Sequence, residues 1–450
     1  MPKRYMHLAA FCSQPGNHVA AWRHPQAATA DVLDMSFYKQ FAQTAERGLF
    51  DLIFLADTLS VAEEGATQGP FTMGHGVPFR ADPLSAMAVM ASVTEHIGLV
   101  GTVSTSHNEP FNVARRFAFL DHLSRGRTGW NIVTTASPAE ALNFGAHAYL
   151  SHDERYERAG EFVDVVRKLW DSWDDNAIID DRVSGVYADA QKVRRVDHVG
   201  KHFSVRGPLN VPRPPQGHPV LFQAGTSKVG RAFAASIADA IFLAAQTREE
   251  MASFSTALRS QAEQHGRSRD DLRLLPGILV FVGRTEREAR EKQAALGTLL
   301  LADVGKALLT ELLGIDLGGF PLDGPFPELD TEQIPGIQSR YQLLRSMAQR
   351  ERLTLREVMA RVASGAGHRI VVGDPEQVAD AMEDWFSAGL VDGYAVMSPY
   401  LPGCLDDFVE LVIPTLARRG LVRTQYEGAT LRDHLGLQRP TVAHRDAVRA

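Results

Sequence analysis

The stretch Asp51-Leu-Ile-Phe-Leu-Ala-Asp57 is a short apolar run closed by polar residues, and the same pattern recurs along the chain. Runs of this kind are typical of parallel strands buried on both faces, and amphipathic stretches between them indicate crossover helices. Eight runs predict strands, at residues 5–12, 52–56, 97–103, 129–134, 219–224, 240–244, 274–282 and 393–397. Eight parallel strands close a barrel, so the sequence predicts an α/β protein of the (β/α)8, or TIM barrel, class.

Amphipathic helices are predicted between the first strands, at residues 36–47, 83–94, 111–123 and 153–170, since apolar residues recur there at every third or fourth position. The fourth helix starts at a capping box, in which the Ser151 side chain accepts from the amide of Glu154 and the Glu154 side chain reaches back. The sequence therefore marks the start of this helix clearly.

Two stretches exceed a minimal barrel. Residues 176–218 contain several prolines and glycines, so a mostly extended loop is expected there. Residues 283–368 predict a helical insertion before the last strand, which we expect to act as a lid or a subunit contact. Residues 1–420 are thus predicted to form one barrel domain. The polar residues 421–450 are expected to be a C-terminal extension, either an arm or partly disordered.

Composition places the chain among ordinary globular proteins, with 44% hydrophobic and 22% charged residues. A net charge of -7 without a long basic run argues against nucleic acid as a partner. The chain has no window of about 18 apolar residues and no signal-peptide core, so a soluble protein without a membrane partner is predicted. Cys12 and Cys404, the only two cysteines, cannot build a disulfide framework, and a cytoplasmic location is expected.

Polar residues recur where predicted strands end, which is where barrel enzymes place their active sites. They offer hydrogen bonds without an obvious nucleophile, a pattern that suits a bound polar heterocycle: Asp57, Thr102, Ser104, Asn131 and Ser227. Asn131 lies within an apolar strand, so its amide needs partners. For Asp57, a local cap or ion pair at the strand end is an equally good interpretation.

A phosphate site is predicted in Gln223-Ala-Gly225-Thr226-Ser227-Lys228, where the fifth strand passes into a helix. Glycine allows close approach to the backbone, and the free amides of a helix start bind anions. The alternative is an ordinary helix cap that binds nothing.

His152 and Tyr156 lie one turn apart at the start of the fourth helix, near the positive end of its dipole. Both could reach an anionic ligand or a polar ring. The alternatives are a core position for Tyr156, which fits the apolar stripe of the helix, and a solvated surface position for His152.

Several common site motifs are absent from the sequence. It contains no Gly-x-Gly-x-x-Gly after a strand, no Walker loop and no Gly-x-Ser-x-Gly elbow, so neither a built-in dinucleotide site nor a serine hydrolase is indicated. His198 and His202 have ligand-like spacing, but Gly200 and the surrounding loop argue against a metal helix, and no metal site is predicted.

Several segments together resemble the bacterial luciferase-like monooxygenases. More narrowly they are similar to the branch of nitrilotriacetate, dibenzothiophene sulfone and long-chain alkane monooxygenases, and the resemblance spans residues 5–420 in order. The segments include Trp22-Arg-His-Pro25, Asp51-Leu-Ile-Phe-Leu-Ala-Asp57, Glu109-Pro-Phe-Asn-Val-Ala-Arg115, Gly129-Trp-Asn-Ile-Val-Thr134, His198-Val-Gly-Lys-His-Phe203, Pro219-Val-Leu-Phe-Gln-Ala-Gly-Thr-Ser227 and Val372-Gly-Asp-Pro-Glu-Gln-Val-Ala379.

The resemblance implies a barrel that binds reduced flavin mononucleotide, FMNH2, delivered by a separate NAD(P)H:flavin reductase, with O2 as co-substrate. It also implies a homodimer or homotetramer. The flavin site would be lined by Asp57, Thr102, Ser104, Asn131, His152, Tyr156, Gly225, Thr226 and Ser227. Among these, Asn131 and Asp57 are predicted to orient the flavin and His152 to carry a proton, since the unperturbed pKa of His is about 6.5.

The expected function is that of a two-component monooxygenase, which forms a peroxyflavin from FMNH2 and O2 to oxygenate and cleave a small organic substrate. The family's breadth leaves an amine, a sulfone, an alkane, a halogenated aromatic or a flavin-like heterocycle as substrate. Two alternatives stay open, a deazaflavin-dependent oxidoreductase and a flavin-binding barrel without catalysis.

Overall fold

The computed structural model describes residues 4–28, 33–61, 75–135, 137–145, 150–225, 227–329, 338–365 and 367–442. Its centre is a closed barrel in which each strand pairs in parallel with the next along the chain, and the last pairs with the first. The strands are β1 (His7–Cys12), β2 (Leu52–Leu55), β3 (Gly98–Ser104), β4 (Thr128–Val133), β5 (Val220–Gln223), β6 (Ala240–Leu243), β7 (Arg273–Val282) and β8 (Gly393–Met397). The prediction of a TIM barrel from eight strands is confirmed.

Helices follow the strands, and those that surround the barrel pack their apolar faces on it. Those described are α1 (Met35–Arg47), α2 (Pro83–Ala91), α3 (Pro110–Leu123), α4 (Pro138–Leu142), α5 (His152–Trp170), α6 (Lys228–Ile237), α7 (Arg248–Gln264), α8 (Glu286–Thr298), α9 (Ala302–Leu313), α10 (Gln338–Glu351), α11 (Leu355–Gly365), α12 (Pro375–Ser387), α13 (Gly403–Asp407), α14 (Ile413–Arg418) and α15 (Leu431–His434). Helix α5 begins at the capping box predicted for Ser151 and Glu154. None of the helices in the described part of the chain has the length and apolar character needed to cross a membrane.

Both stretches predicted to exceed a minimal barrel, residues 176–218 and 283–368, lie outside the ring of eight strands. Residues 176–218 carry two small antiparallel sheets, Ile178–Asp181 with Val186–Ala188 and His198–Val199 with Ser204–Val205. The segment between β7 and β8 contains helices α8 to α11. Helices α9, α10 and α11 share a hydrophobic core of their own around Leu309, Tyr341 and Leu355. A further strand follows them, Arg369–Gly373, which pairs in parallel with the end of β7 outside the barrel and was not predicted.

The C-terminal extension differs from the expectation of a separate arm or a partly disordered segment. Residues 421–442 pack against the N-terminal end of the barrel, and Leu431 is buried in the core that fills the barrel interior. A Cβ at Gly98, the first residue of β3, would lie 2.4 Å from Leu431 Cδ1. Arg432 forms a buried ion pair with Asp239 at 2.8 Å. The described part of this extension therefore packs on the barrel and closes its base.

Four phenylalanines form a layer inside the barrel, each at the next-to-last position of its strand. Phe54 lies 5.4 Å from Phe11, 5.9 Å from Phe222 and 5.3 Å from Phe242 between ring centroids. We call these four residues the aromatic floor. Because they fill the barrel just below the C-terminal ends of the strands, a ligand there meets a dry, apolar surface from below.

Candidate active site

Asn131 and Thr102 are the polar residues at the level of the aromatic floor. They are paired in register on β4 and β3, and Asn131 is also paired with Phe222 on β5. Thr102 Oγ1 donates to the carbonyl of Leu55 at 2.8 Å and accepts from Asn131 Nδ2 at 2.8 Å. Asn131 is 3% exposed, and its Oδ1 has no hydrogen-bond partner within the described ranges. An unpaired buried acceptor fits a ligand that brings an N–H group, as the ring edge of a flavin does.

Ser104 lies at the end of β3 and is also buried. Its Oγ is 2.7 Å from Thr135 Oγ1 and accepts from the amide of Ser106 at 3.1 Å. Thr135 in turn lines a cavity of about 420 Å³ together with Asn108 and Arg158. Ser104 therefore holds the ends of β3 and β4 together beside this cavity. Thr135 was not among the predicted site residues, because nothing in its local sequence sets it apart.

Two helix starts meet after β5, and we call their residues the cradle: Gly225, Ser227, Gly230, His152 and Tyr156. Ser227 caps α6, with its Oγ accepting from the amide of Gly230 at 3.1 Å, and His152 Nε2 lies 3.3 Å from the same oxygen. A Cβ would lie 2.9 Å from Tyr156 Oη at Gly225 and 2.8 Å from it at Gly230. The positive ends of α5 and α6 thus meet where only glycine allows the Tyr156 hydroxyl to approach the backbone so closely, and paired helix starts of this kind suit a phosphate group.

The predicted site residues fall into three groups. Asn131, Thr102 and Ser104 lie at the ends of β3 and β4. Four more predicted residues lie in the cradle: Gly225, Ser227, His152 and Tyr156. Thr226 lies outside the described residues. The His152 side chain is 45% exposed, 3.4 Å from Asp153 Oδ1, and its ring centroid is 5.0 Å from that of Tyr156. This position suits contact with an anion at the cradle.

Asp57 forms the third group, just after β2. Burial raises the pKa of its carboxyl to about 6, and the carboxylates of Asp82 and Glu140 act in the same direction. The backbone of Thr58 and the charge of Arg80 oppose the rise. A carboxyl group with a pKa near neutrality can take up and release protons at working pH, so Asp57 is suited to acid–base chemistry.

Replacing Asp57 with Asn is expected to raise the free energy of unfolding above pH 6 and to leave it unchanged near pH 4. The folded-state pKa of about 6 lies above the ordinary value of 3.8, so the ionised carboxylate destabilises the folded state. This penalty is absent below the ordinary value, grows as the pH rises towards the folded value and is complete above it. Urea denaturation at both pH values measures it.

Glu427→Gln is the matched control for this prediction, because Glu427 is exposed. It should change the urea midpoint little at either pH. An Asp57→Asn effect of equal size at both pH values would contradict the assignment to ionisation of Asp57.

Comparison with known proteins identifies the family. A family model described as luciferase-like monooxygenase matches residues 15–392. The chain belongs to the luciferase-like monooxygenases. Nitrilotriacetate monooxygenase component A of Aminobacter aminovorans is 45% identical over 442 residues, which cover 97% of each chain. The predicted family and its enzyme class, a flavin-dependent monooxygenase, are confirmed.

Solved structures of the family share the whole architecture. The crystal structure of DmoA from Hyphomicrobium sulfonivorans matches with a TM-score of 0.89 and 33% identity, covering 96% of this chain and 92% of the other. A crystal structure of riboflavin lyase with modified FMN and the substrate riboflavin matches with a TM-score of 0.86 and 33% identity, covering 97% of both chains. The insertions and the closed base are therefore part of the aligned fold.

Proposed function

We propose that the protein is the FMNH2-dependent oxygenase of a two-component monooxygenase, supplied by a separate NAD(P)H:flavin reductase. The observation that carries the proposal is the cradle, which brings two helix starts and the polar groups of Ser227, His152 and Tyr156 together as a phosphate would need. The relative from Aminobacter aminovorans is a component A, which supports the division into components. Homo-oligomerisation and a cytoplasmic location belong to the same proposal.

The roles of the residues follow from their surroundings. Gly225 and Ser227 would hold the phosphate of FMN, with Tyr156 and His152 closing over it. The unpaired Oδ1 of Asn131, fixed through Thr102, would accept from the ring edge. When bound, the flavin supplies the chemistry that activates O2.

The aromatic floor would keep water away from the barrel side of the proposed flavin site, so few groups there can transfer a proton. The aromatic floor is dry, so polar interactions above it are stronger than in water. Asp57, with its pKa of about 6, would move a proton at Oδ during turnover. In balance, one oxygen atom of O2 enters the substrate and the other leaves as water, while FMNH2 supplies two electrons and two protons and ends as FMN.

Oxygen uptake by the purified protein tests the proposal. FMNH2 from an unrelated reductase is supplied with amines, sulfones, alkanes, halogenated aromatics and riboflavin in turn, and products are followed by mass spectrometry. Uptake coupled to an oxygenated or cleaved product supports a monooxygenase. Reduction or oxidation of a substrate with a deazaflavin and without O2 uptake would favour the oxidoreductase alternative. Tight binding of oxidised FMN without any turnover would favour a flavin-binding barrel.

A further inference from the structure

A second cavity, of about 570 Å³, opens beside the cradle. It starts at Ala224, next to Gly225, and runs over Phe242 of the aromatic floor to the insertion helix α10, which contributes Gln342 and Ser346. This volume is within the range that binds small organic ligands. Because one wall is the insertion and the other is the end of the barrel, a ligand here would lie between the cradle and helix α10 of the insertion.

Arg231 is the cation of this cavity that has no anionic partner. It lies on α6, one turn after Ser227, and no ion pair to it occurs within the described ranges. Its Nε is buried and lacks a hydrogen-bond partner among the same residues. Glu250 also lines the cavity, but its carboxylate already accepts from the amides of Gln246 at 2.9 Å and Thr247 at 3.3 Å.

A buried donor without a partner costs free energy, so such a group is expected where a ligand completes its bonding. The guanidinium group is planar and presents parallel N–H donors that match the two oxygens of a carboxylate. The lining also contains polar residues, but Phe242 and Phe254 give the cavity an aromatic side, and the Phe242 ring lies 5.2 Å from that of His368. The cavity therefore combines one anion-binding group with an aromatic surface.

We propose that the organic substrate of this enzyme carries a carboxylate that pairs with Arg231, while its apolar part packs on Phe242 and Phe254. The inference rests on the proposed function, since it assigns a substrate class to the same site. The other anion within reach of Arg231 is the phosphate of the flavin, because Ser227 of the cradle is one turn away on the same helix. The test must therefore separate substrate binding from flavin binding.

The variant Arg231→Met removes the charge and keeps an unbranched side chain, and Arg116→Met, at an exposed position on α3, is the matched control. Dissociation constants for FMN and riboflavin are measured by flavin fluorescence. Calorimetry on the FMN-loaded protein then measures binding of a panel of alkyl, aryl and amino-carboxylic acids, each paired with its methyl ester. Neither measurement needs turnover, so failure of the oxygenase proposal and failure of this one give different results.

We expect at least one acid to bind the wild type tenfold or more tightly than its ester, and Arg231→Met to weaken that acid by about 10- to 100-fold. FMN and riboflavin affinity should change by less than about twofold in both variants. The proposal is overturned if no acid in the panel binds more tightly than its ester, or if the preference for the acid survives in Arg231→Met. It is also overturned if the loss falls on FMN and spares riboflavin, since Arg231 then serves the flavin phosphate.

A charge reversal gives an independent check. Arg231→Glu should reject the acid and bind an amine of the same skeleton more tightly than the wild type does. Unchanged ligand preference in this variant would contradict a direct contact between Arg231 and the substrate.

Discussion

Gly225→Ala is expected to weaken FMN binding roughly a hundredfold or more and to change riboflavin binding by less than about threefold. The new Cβ would lie 2.6 Å from Gln223 Nε2 and 2.9 Å from Tyr156 Oη, so it would push Tyr156 out of the position in which its hydroxyl is proposed to close over the phosphate. Gln223 cannot move away cheaply, because it is buried and its Oε1 accepts from the Gly225 amide at 2.6 Å. Riboflavin lacks the phosphate and should be affected little. Fluorescence titration with both flavins measures the difference.

Gly160→Ala is the matched control for this substitution. Gly160 lies on α5, one turn after Tyr156, and a Cβ there would meet nothing within 4 Å. The control should bind both flavins normally and be slightly more stable, since alanine favours a helix over glycine by about 1 kcal/mol. Unchanged FMN affinity in Gly225→Ala would place the phosphate somewhere other than the cradle.

Asn131→Leu is expected to lower flavin-coupled oxygen uptake about a hundredfold or more while leaving the free energy of unfolding unchanged or slightly higher. In the flavin-free protein, Asn131 Oδ1 is buried and has no partner within the described residues, so an apolar side chain of similar size removes an unfavourable group. Thr102 keeps its hydrogen bond to the carbonyl of Leu55. When flavin binds, however, its N–H group would meet leucine and lose a hydrogen bond.

Urea denaturation and oxygen uptake measured on the same preparation separate these two effects. Asn176→Leu is the control, because Asn176 is exposed at the start of the segment 176–218, which follows α5. It should leave uptake unchanged. If Asn131→Leu instead loses several kcal/mol of stability and keeps its flavin-coupled oxygen uptake, Asn131 serves the fold and the orienting role is wrong.

The eight strands could be predicted because their signal is local. Each strand is buried on both faces, so it reads as a continuous apolar run, and polar residues follow where the strand ends. One half of the cradle is also local, since a strand end, Gly225 and the Ser227 cap lie within residues 223–228, but its pairing with His152 and Tyr156 of α5 is a tertiary contact. The strand Arg369–Gly373 was missed for the opposite reason. It lies outside the barrel, is only partly buried and has just three successive aliphatic residues.

The C-terminal extension shows how a polar sequence can hide a structural role. Leu431 and Leu435 lie four residues apart, so one short helix directs both into the base of the barrel. The helix itself has only four residues, too few to show a period in the sequence. Its buried position exists only because the barrel leaves an opening there, with Gly98 and Gly129 making room for Leu431.

The sequence by itself determined the barrel, the family and the residue types around the proposed flavin site, because these depend on patterns within short segments. Only the tertiary structure decided which polar atoms have partners. The pairing of Asn131 with Thr102 follows from strand register, and the raised pKa of Asp57 follows from burial beside Glu140, far along the chain. The cavity at Arg231 likewise exists because insertion helix α10 folds back over β5 and β6. Contacts between distant segments set burial and charge, and burial and charge set the chemistry.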